Sequence, residues 1–361
     1  MKNSTGRVRG LEGLRMLALT GVLLYHMFPR QIKGGYFGVV IFFVISGFLG
    51  AYTYKEDLSL LKHYGRRLMR IYPPMIIMIM ITVEAVALTD HYRLSMVQDE
   101  FCSVLFSCNN YWQMIKQADY FANLANTSAF THLWYISILV QFEVIWGLFM
   151  KLIRRDRVRI RILSLLLIVM VLIMPIRSLF GATTTQLYYG TDTRIHALIA
   201  GALAGLSARR AVRRRRMLYP GICAIFGIEF LIFTLILFLF VPGTMKAVYL
   251  FIMSFYALLC AVFIYFCTVH GRGPGALYEL RPWRFFSKYS YEIYLWQYPV
   301  LFVFTLRNWT GSLKFYALQA VVILVLSMWA HRFVADLTSL GKKPQKKSLT
   351  TELIKTAGSA K

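Results

Sequence analysis

Apolar stretches long enough to cross a hydrocarbon layer recur along this chain from residue 10 to residue 333, and they leave it few ways to fold. In lipid the backbone polar groups must be paired within their own segment, so such stretches become helices packed in a bundle. A span takes about 20 apolar residues. Ten stretches meet that length: 10–28, 34–54, 71–89, 132–150, 161–180, 193–208, 218–240, 246–268, 286–306 and 313–333. The sixth is short and rich in small residues. The expectation is an all-α polytopic membrane protein of about ten transmembrane helices. Its membrane domain covers 1–335, and a basic tail, 336–361, is read as disordered and resting on anionic lipid.

A net charge of +25 suggests nucleic acid in a soluble protein, but 58% of this chain is hydrophobic. The basic residues form short clusters between the apolar stretches, so nucleic-acid binding is excluded. With the N-terminus inside, the inner connections hold Lys62, Arg66, Arg67 and Arg70, then Lys151 to Arg159, then Arg209 to Arg216, then Arg281, Arg284 and Lys288. The outer connections hold few. The positive-inside rule therefore places both termini in the cytoplasm. The first stretch lacks a small-residue cleavage site and is read as a span. Cys102 and Cys108 share the polar stretch 90–131 and are placed to pair if it is extracytoplasmic. That stretch reads as either a lid or a loose connection. No Cys/His spacing suggests a metal.

Arg15 and His26 interrupt the first apolar stretch eleven residues apart. Eleven helical steps return to within about 20° of the starting direction and climb about 16 Å, so both lie on one face, three turns apart. Ionisable residues inside a span mark a functional path. Glu143, with Gln141, falls in the fourth span; a carboxylate there needs a partner, and Arg15 is the expected one.

Five blocks in order carry a resemblance. Arg15-x10-His26 runs into GVVIFFVISGF at 38–48; YGRRLMRIYPP follows at 64–74, HLWYISILVQF at 132–142, YYGTDTR at 188–194 and SYEIYLWQYPV at 290–300. The pattern resembles the membrane-bound acyltransferase-3 family over nearly all of 10–335, and YYGTDTR is similar to the branch that includes peptidoglycan O-acetyltransferases. The chain departs from the pattern at Val40, where Asp is frequent, at Leu139, where Glu is frequent, and at Gln297, where His is usual.

The resemblance implies transfer of an acyl group, most simply acetyl, from cytoplasmic acyl-CoA to a hydroxyl of an envelope glycan, at a bacterial plasma membrane. His26 is then the base, or a transient acyl carrier, and Arg15 a partner for phosphate or the thioester oxygen. Glu143 completes the expected catalytic set. Arg66, Arg67 and Arg70 are expected to bind the phosphates of acetyl-CoA, and no metal is expected. Asp192 and Arg194 either pair with each other or orient His26 and the acceptor. Tyr188, Trp134, Gln141 and Trp296 are candidates for an acceptor channel, and an aromatic membrane belt explains the rings as well. Relatives that modify peptidoglycan often carry an SGNH-hydrolase domain after an eleventh span; the alternatives here are that the chain works alone, that it pairs with a separate SGNH-like partner, or that it is part of a longer chain. A transporter or flippase for a lipid-linked sugar or small anion is the alternative. A binding module for acyl-CoA is a third. The missing inverted repeat and midplane helix breaks favour the enzyme.

Overall fold

The computed structural model describes residues 8, 10–118, 120–121, 128–213, 220–270, 278, 280–309 and 311–340. The tail beyond 340 and the basic run Arg214 to Arg216 lie outside the described residues. Every regular element among them is helical. The long helices are α1 (Leu11–Met27), α2 (Phe37–Tyr52), α3 (Leu60–Ala87), α6 (Trp134–Leu152), α7 (Asp156–Leu179), α9 (Thr191–Arg213), α10 (Pro220–Phe240), α11 (Met253–His270), α13 (Ser290–Leu306) and α14 (Leu313–Leu340). Shorter ones are α4 (His91–Leu105), α5 (Asn109–Ile115), α8 (Thr184–Tyr189) and α12 (Arg281–Ser287).

Among the described residues, six helical segments are long and apolar enough to cross a membrane, and Phe37–Tyr52 and Ile225–Phe240 are shorter apolar helices. The protein is therefore a multi-pass membrane protein. Helices α1 and α13 are interrupted by charged and polar residues and are 17 residues each. The third span begins eleven residues before the expected boundary of 71. Its first turns carry Lys62, Arg66, Arg67 and Arg70, which sustain a helix without adding to its hydrophobicity. Ser59 caps its start, its side chain accepting from the backbone N–H of Lys62.

Helices α2 and α9 form the most intimate pair in the bundle. A Cβ on Gly47 of α2 would fall on the backbone of Leu198, and one on Gly201 of α9 on the backbone of Val44. Small residues allow helices to approach this closely where lipid supplies no hydrophobic drive between them. The pair holds α2 as a fixed wall against which α1, α6 and α11 pack.

At the end of the bundle where α3 and α7 begin, Arg159 is fully buried and donates to Glu56 at 2.6 Å and to Asp156 at 2.9 Å. It also donates to the carbonyl of Met150 at 2.6 Å. Arg209 of α9 reaches the same two carboxylates. Two cations and two anions thus tie the α2–α3 connection, the α6–α7 turn and the end of α9 together. The Arg159 hydrogen bond holds the Glu56 carboxyl below the usual carboxylate range, against partial burial that acts the other way.

The described residues of the stretch 90–131 are largely helical, in α4 and α5. Glu100 is 1% exposed, accepts from Asn109 at 2.6 Å and also from Gln113, and so ties α4 to α5. Burial pushes its carboxyl up, against hydrogen bonds from Ser128, Asn109 and Gln113. Cys102 and Cys108 in this segment are free thiols, so the pairing considered from spacing is not formed.

Candidate active site

Helix α1 places Arg15 and His26 on one face, as the eleven-residue spacing requires, but they serve two different environments. Arg15 lines a cavity of about 830 Å³, counting its open mouth. The other polar groups on its wall are Arg67 and Arg70 of α3, Ser46 of α2, Tyr135 and Glu143 of α6, and Ser290, Tyr291 and Tyr294 of α13. Three arginines against one carboxylate give the cavity a positive field.

Glu143 pairs within the cavity, though not with Arg15. Its carboxylate lies 3.3 Å from Arg67 Nε and 3.8 Å from His63 Nε2. The reason is helical register: α3 begins early enough to bring His63 and Arg67, four residues apart, against α6. Arg66, between them, is exposed and absent from the cavity wall. Of the three arginines expected to act together, the structure brings Arg67 and Arg70 to Arg15 and turns Arg66 away.

His26 sits beyond the cavity, at the far end of α1, with both ring nitrogens engaged. Nδ1 is 3.2 Å from Gln297 Oε1 and Nε2 is 2.9 Å from the Tyr120 hydroxyl. With the amide oxygen as acceptor, Nδ1 carries the proton. Nε2 is then the basic nitrogen, and the Tyr120 hydroxyl donates to it. This is the geometry a general base needs: one nitrogen held by a fixed acceptor, the other facing a hydroxyl at hydrogen-bond distance.

An aromatic column joins the two environments. Tyr294 lines the cavity, and its hydroxyl donates to the His132 carbonyl at 2.6 Å. The His132 ring stacks on Tyr298 at 5.3 Å, and Tyr298 meets His26 edge-on at 5.1 Å. Tyr291, Tyr294 and Tyr298 follow the three-and-four spacing of one helix face, so α13 carries one rail of this column from the cavity to His26. His132 Nε2 donates to the Leu295 carbonyl at 3.0 Å, which leaves Nδ1 without a partner.

The remaining candidates divide between this site and its scaffold. Asp192 pairs with Arg177 at 2.5 Å and not with Arg194. Arg194 is 2% exposed, packs over the Tyr188 ring at 4.3 Å and lies 5.7 Å from the Trp134 ring centre. Gln141 donates to the Ser107 carbonyl and Asn110 and accepts from Thr191, which clasps the 90–131 segment to α9. Trp296 is buried and off the cavity wall. No group of His, Cys, Asp and Glu able to hold a metal occurs among the described residues.

Residues 8–332 match the family model of the acyltransferase domain, acyltransferase-3. The chain belongs to the acyltransferase-3 family. It is 31% identical over 347 residues to the putative peptidoglycan O-acetyltransferase YrhL of Bacillus subtilis, covering 91% of this chain and 54% of that protein. It is 26% identical over 370 residues to the O-acetyltransferase OatA of Staphylococcus aureus, covering 94% and 59%. It is 27% identical over 345 residues to the peptidoglycan O-acetyltransferase OatA of Listeria monocytogenes, covering 91% and 55%. The chain spans little more than half the length of these relatives. No solved structure matches it. Tyr120, Tyr298, His132 and His63 contact the candidate residues His26 and Glu143 or each other, and the sequence alone did not single them out. His132 and Tyr298 carried a signal, as members of the HLWYISILVQF and SYEIYLWQYPV blocks.

Proposed function

We propose that this member of the acyltransferase-3 family moves an acyl group, most simply acetyl, from acyl-CoA to a hydroxyl of an envelope glycan. By the names of its relatives, peptidoglycan is the favoured acceptor. The observation that carries this reading is the pairing of an arginine-lined cavity with His26 along a single helix. Arg67 and Arg70 take the phosphates of the donor, since guanidinium groups recognise phosphate through paired N–H donors. Arg15, deeper along α1, takes the phosphate at the foot of the pantetheine arm. An extended pantetheine arm matches the roughly 16 Å rise from Arg15 to His26. Glu143 is then the resting counter-ion of Arg67.

In the transfer, the acceptor hydroxyl gives its proton to His26 Nε2 while its oxygen bonds to the acyl carbon. The carbon–sulfur bond breaks, and the departing thiolate takes the proton back from the imidazolium. Gln297 holds Nδ1–H throughout, so the ring cannot present the wrong nitrogen. An acyl-His26 intermediate followed by attack of the hydroxyl uses the same atoms in two steps.

The basic connections support a cavity mouth on the cytoplasmic side of a bacterial plasma membrane and His26 toward the outer side, with both termini inside across about ten spans. Donor and acceptor then meet across the bilayer. An SGNH-hydrolase-like module is proposed to complete the placement on the glycan. The test is uptake-free turnover in sealed proteoliposomes. Acetyl-CoA added on the cavity side should yield free CoA and an acetylated N-acetylglucosamine oligomer on the other. Turnover unaffected by Arg67→Gln with Arg70→Gln would remove the donor assignment.

A further inference from the structure

Arg194 poses a physical problem that the scaffold does not solve. Its guanidinium is 2% exposed and no carboxylate pairs with it among the described residues, because Asp192, two residues before it, is committed to Arg177. Nε donates to the Tyr188 carbonyl at 2.7 Å, Nη1 points at the Met253 sulfur, and Nη2 has no partner. A buried cation without a counter-ion destabilises the fold that contains it. Its neighbours show what it does instead. The guanidinium lies over Tyr188 at 4.3 Å, Tyr188 stacks on Tyr120 at 4.5 Å with 24° between the rings, and the Tyr120 hydroxyl is 2.9 Å from His26 Nε2.

We propose that Arg194 is a positioning residue for the transfer centre, acting through Tyr188 and Tyr120 on His26. This rests on the reading of His26 as the base. The guanidinium fixes the Tyr188 ring by attraction to its π face. Tyr188 in turn fixes the plane of Tyr120, whose backbone belongs to a connection rather than to a long helix and so needs an external hold. The phenol thereby meets Nε2 in one place. When the acceptor arrives, the phenol shifts its hydrogen bond from Nε2 to the incoming oxygen, and the stack stays where it is. Arg194 also explains why α8 and α9 meet at Gly190 as they do: the turn brings the Tyr188 ring back over the first turn of α9.

The test uses the full chain in proteoliposomes, with radiolabelled acetyl-CoA and an N-acetylglucosamine oligomer as acceptor. Arg194→Met, Arg194→Lys, Tyr120→Phe, the double variant Arg194→Met/Tyr120→Phe and His26→Ala are compared by turnover, KM for acetyl-CoA and thermal unfolding. Arg194→Met should lower turnover about tenfold with KM within about twofold, and it should unfold no earlier than wild type. Arg194→Lys should recover part of the turnover. The double variant should be no slower than the slower single variant, because both changes cut one column. Losses that multiply, or an Arg194→Met protein that unfolds early with activity lost in proportion, would overturn the proposal. An active His26→Ala would instead overturn the reading beneath it.

Discussion

His26 and Gln297, 271 positions apart in the chain, face each other with Nδ1 and Oε1 3.2 Å apart. The late block of the family pattern usually carries His at this position, and here an amide takes the place. An amide oxygen can only accept, so it fixes the proton on Nδ1, whereas a second imidazole presents either face. Gln297→Leu should therefore lower turnover about tenfold, the equivalent of one lost hydrogen bond of about 1.4 kcal/mol, with unchanged KM for acetyl-CoA. Gln297→His should retain more activity than Gln297→Leu. Release of free CoA measures both.

Arg67 and Arg70 line the cavity and Arg66 does not. Each charge-assisted hydrogen bond to phosphate is worth about 1.5–3 kcal/mol. Arg67→Gln and Arg70→Gln should each raise KM for acetyl-CoA by about 10-fold to 100-fold with modest change in turnover, whereas Arg66→Gln should leave both unchanged. Equal effects at all three positions would mean that general positive charge, and not the cavity, holds the donor.

Glu143 holds Arg67 in the unliganded cavity. Phosphate must displace that carboxylate, so Glu143→Gln should tighten acetyl-CoA binding about threefold or more. Equilibrium binding of labelled CoA to reconstituted protein checks this, and weaker binding would assign Glu143 a direct part in holding the donor.

How far the site was legible follows from the range of each interaction. Arg15 and His26 were readable together because both lie on one helix, and helical geometry converts a spacing into a shared face. The long helices among the described residues fall close to the apolar stretches for the same reason, but the polar first turns of α3 and the last turns of α9 and α14 lie beyond what a hydrophobicity argument shows. Glu143 was recognisable as a carboxylate in need of a partner, but which arginine it met depended on the register of α3 against α6. Tyr120 left no signal: it lies in a connection, 94 positions from His26, and no periodicity links the two. Asp192 and Arg194 look like a pair in sequence, yet on α9 two residues apart they point to different sides, and Asp192 meets Arg177 instead.

The Arg159 clamp makes a separate prediction for stability. Arg159 is buried but its partner Glu56 is half exposed and keeps Arg209, so Arg159→Met should lower the unfolding midpoint in detergent by less than the loss of a fully buried pair. The Glu56 carboxyl is depressed by Arg159 in the folded state. A depressed carboxyl stabilises the fold above its unfolded pKa, near 4.3, and that contribution fades as pH falls toward the folded value. The difference in unfolding midpoint between wild type and Glu56→Gln should thus be full at pH 7 and shrink below about pH 4. A difference that grows on acidification would contradict the clamp.

The central claim is that His26 is where the acyl group changes hands. Purified, reconstituted protein incubated with radiolabelled acetyl-CoA, wild type beside His26→Ala, tests it most directly. Wild type alone should release free CoA, with both proteins binding acetyl-CoA equally and folding equally, since His26 stands outside the donor cavity. CoA released by His26→Ala at the wild-type rate would contradict it.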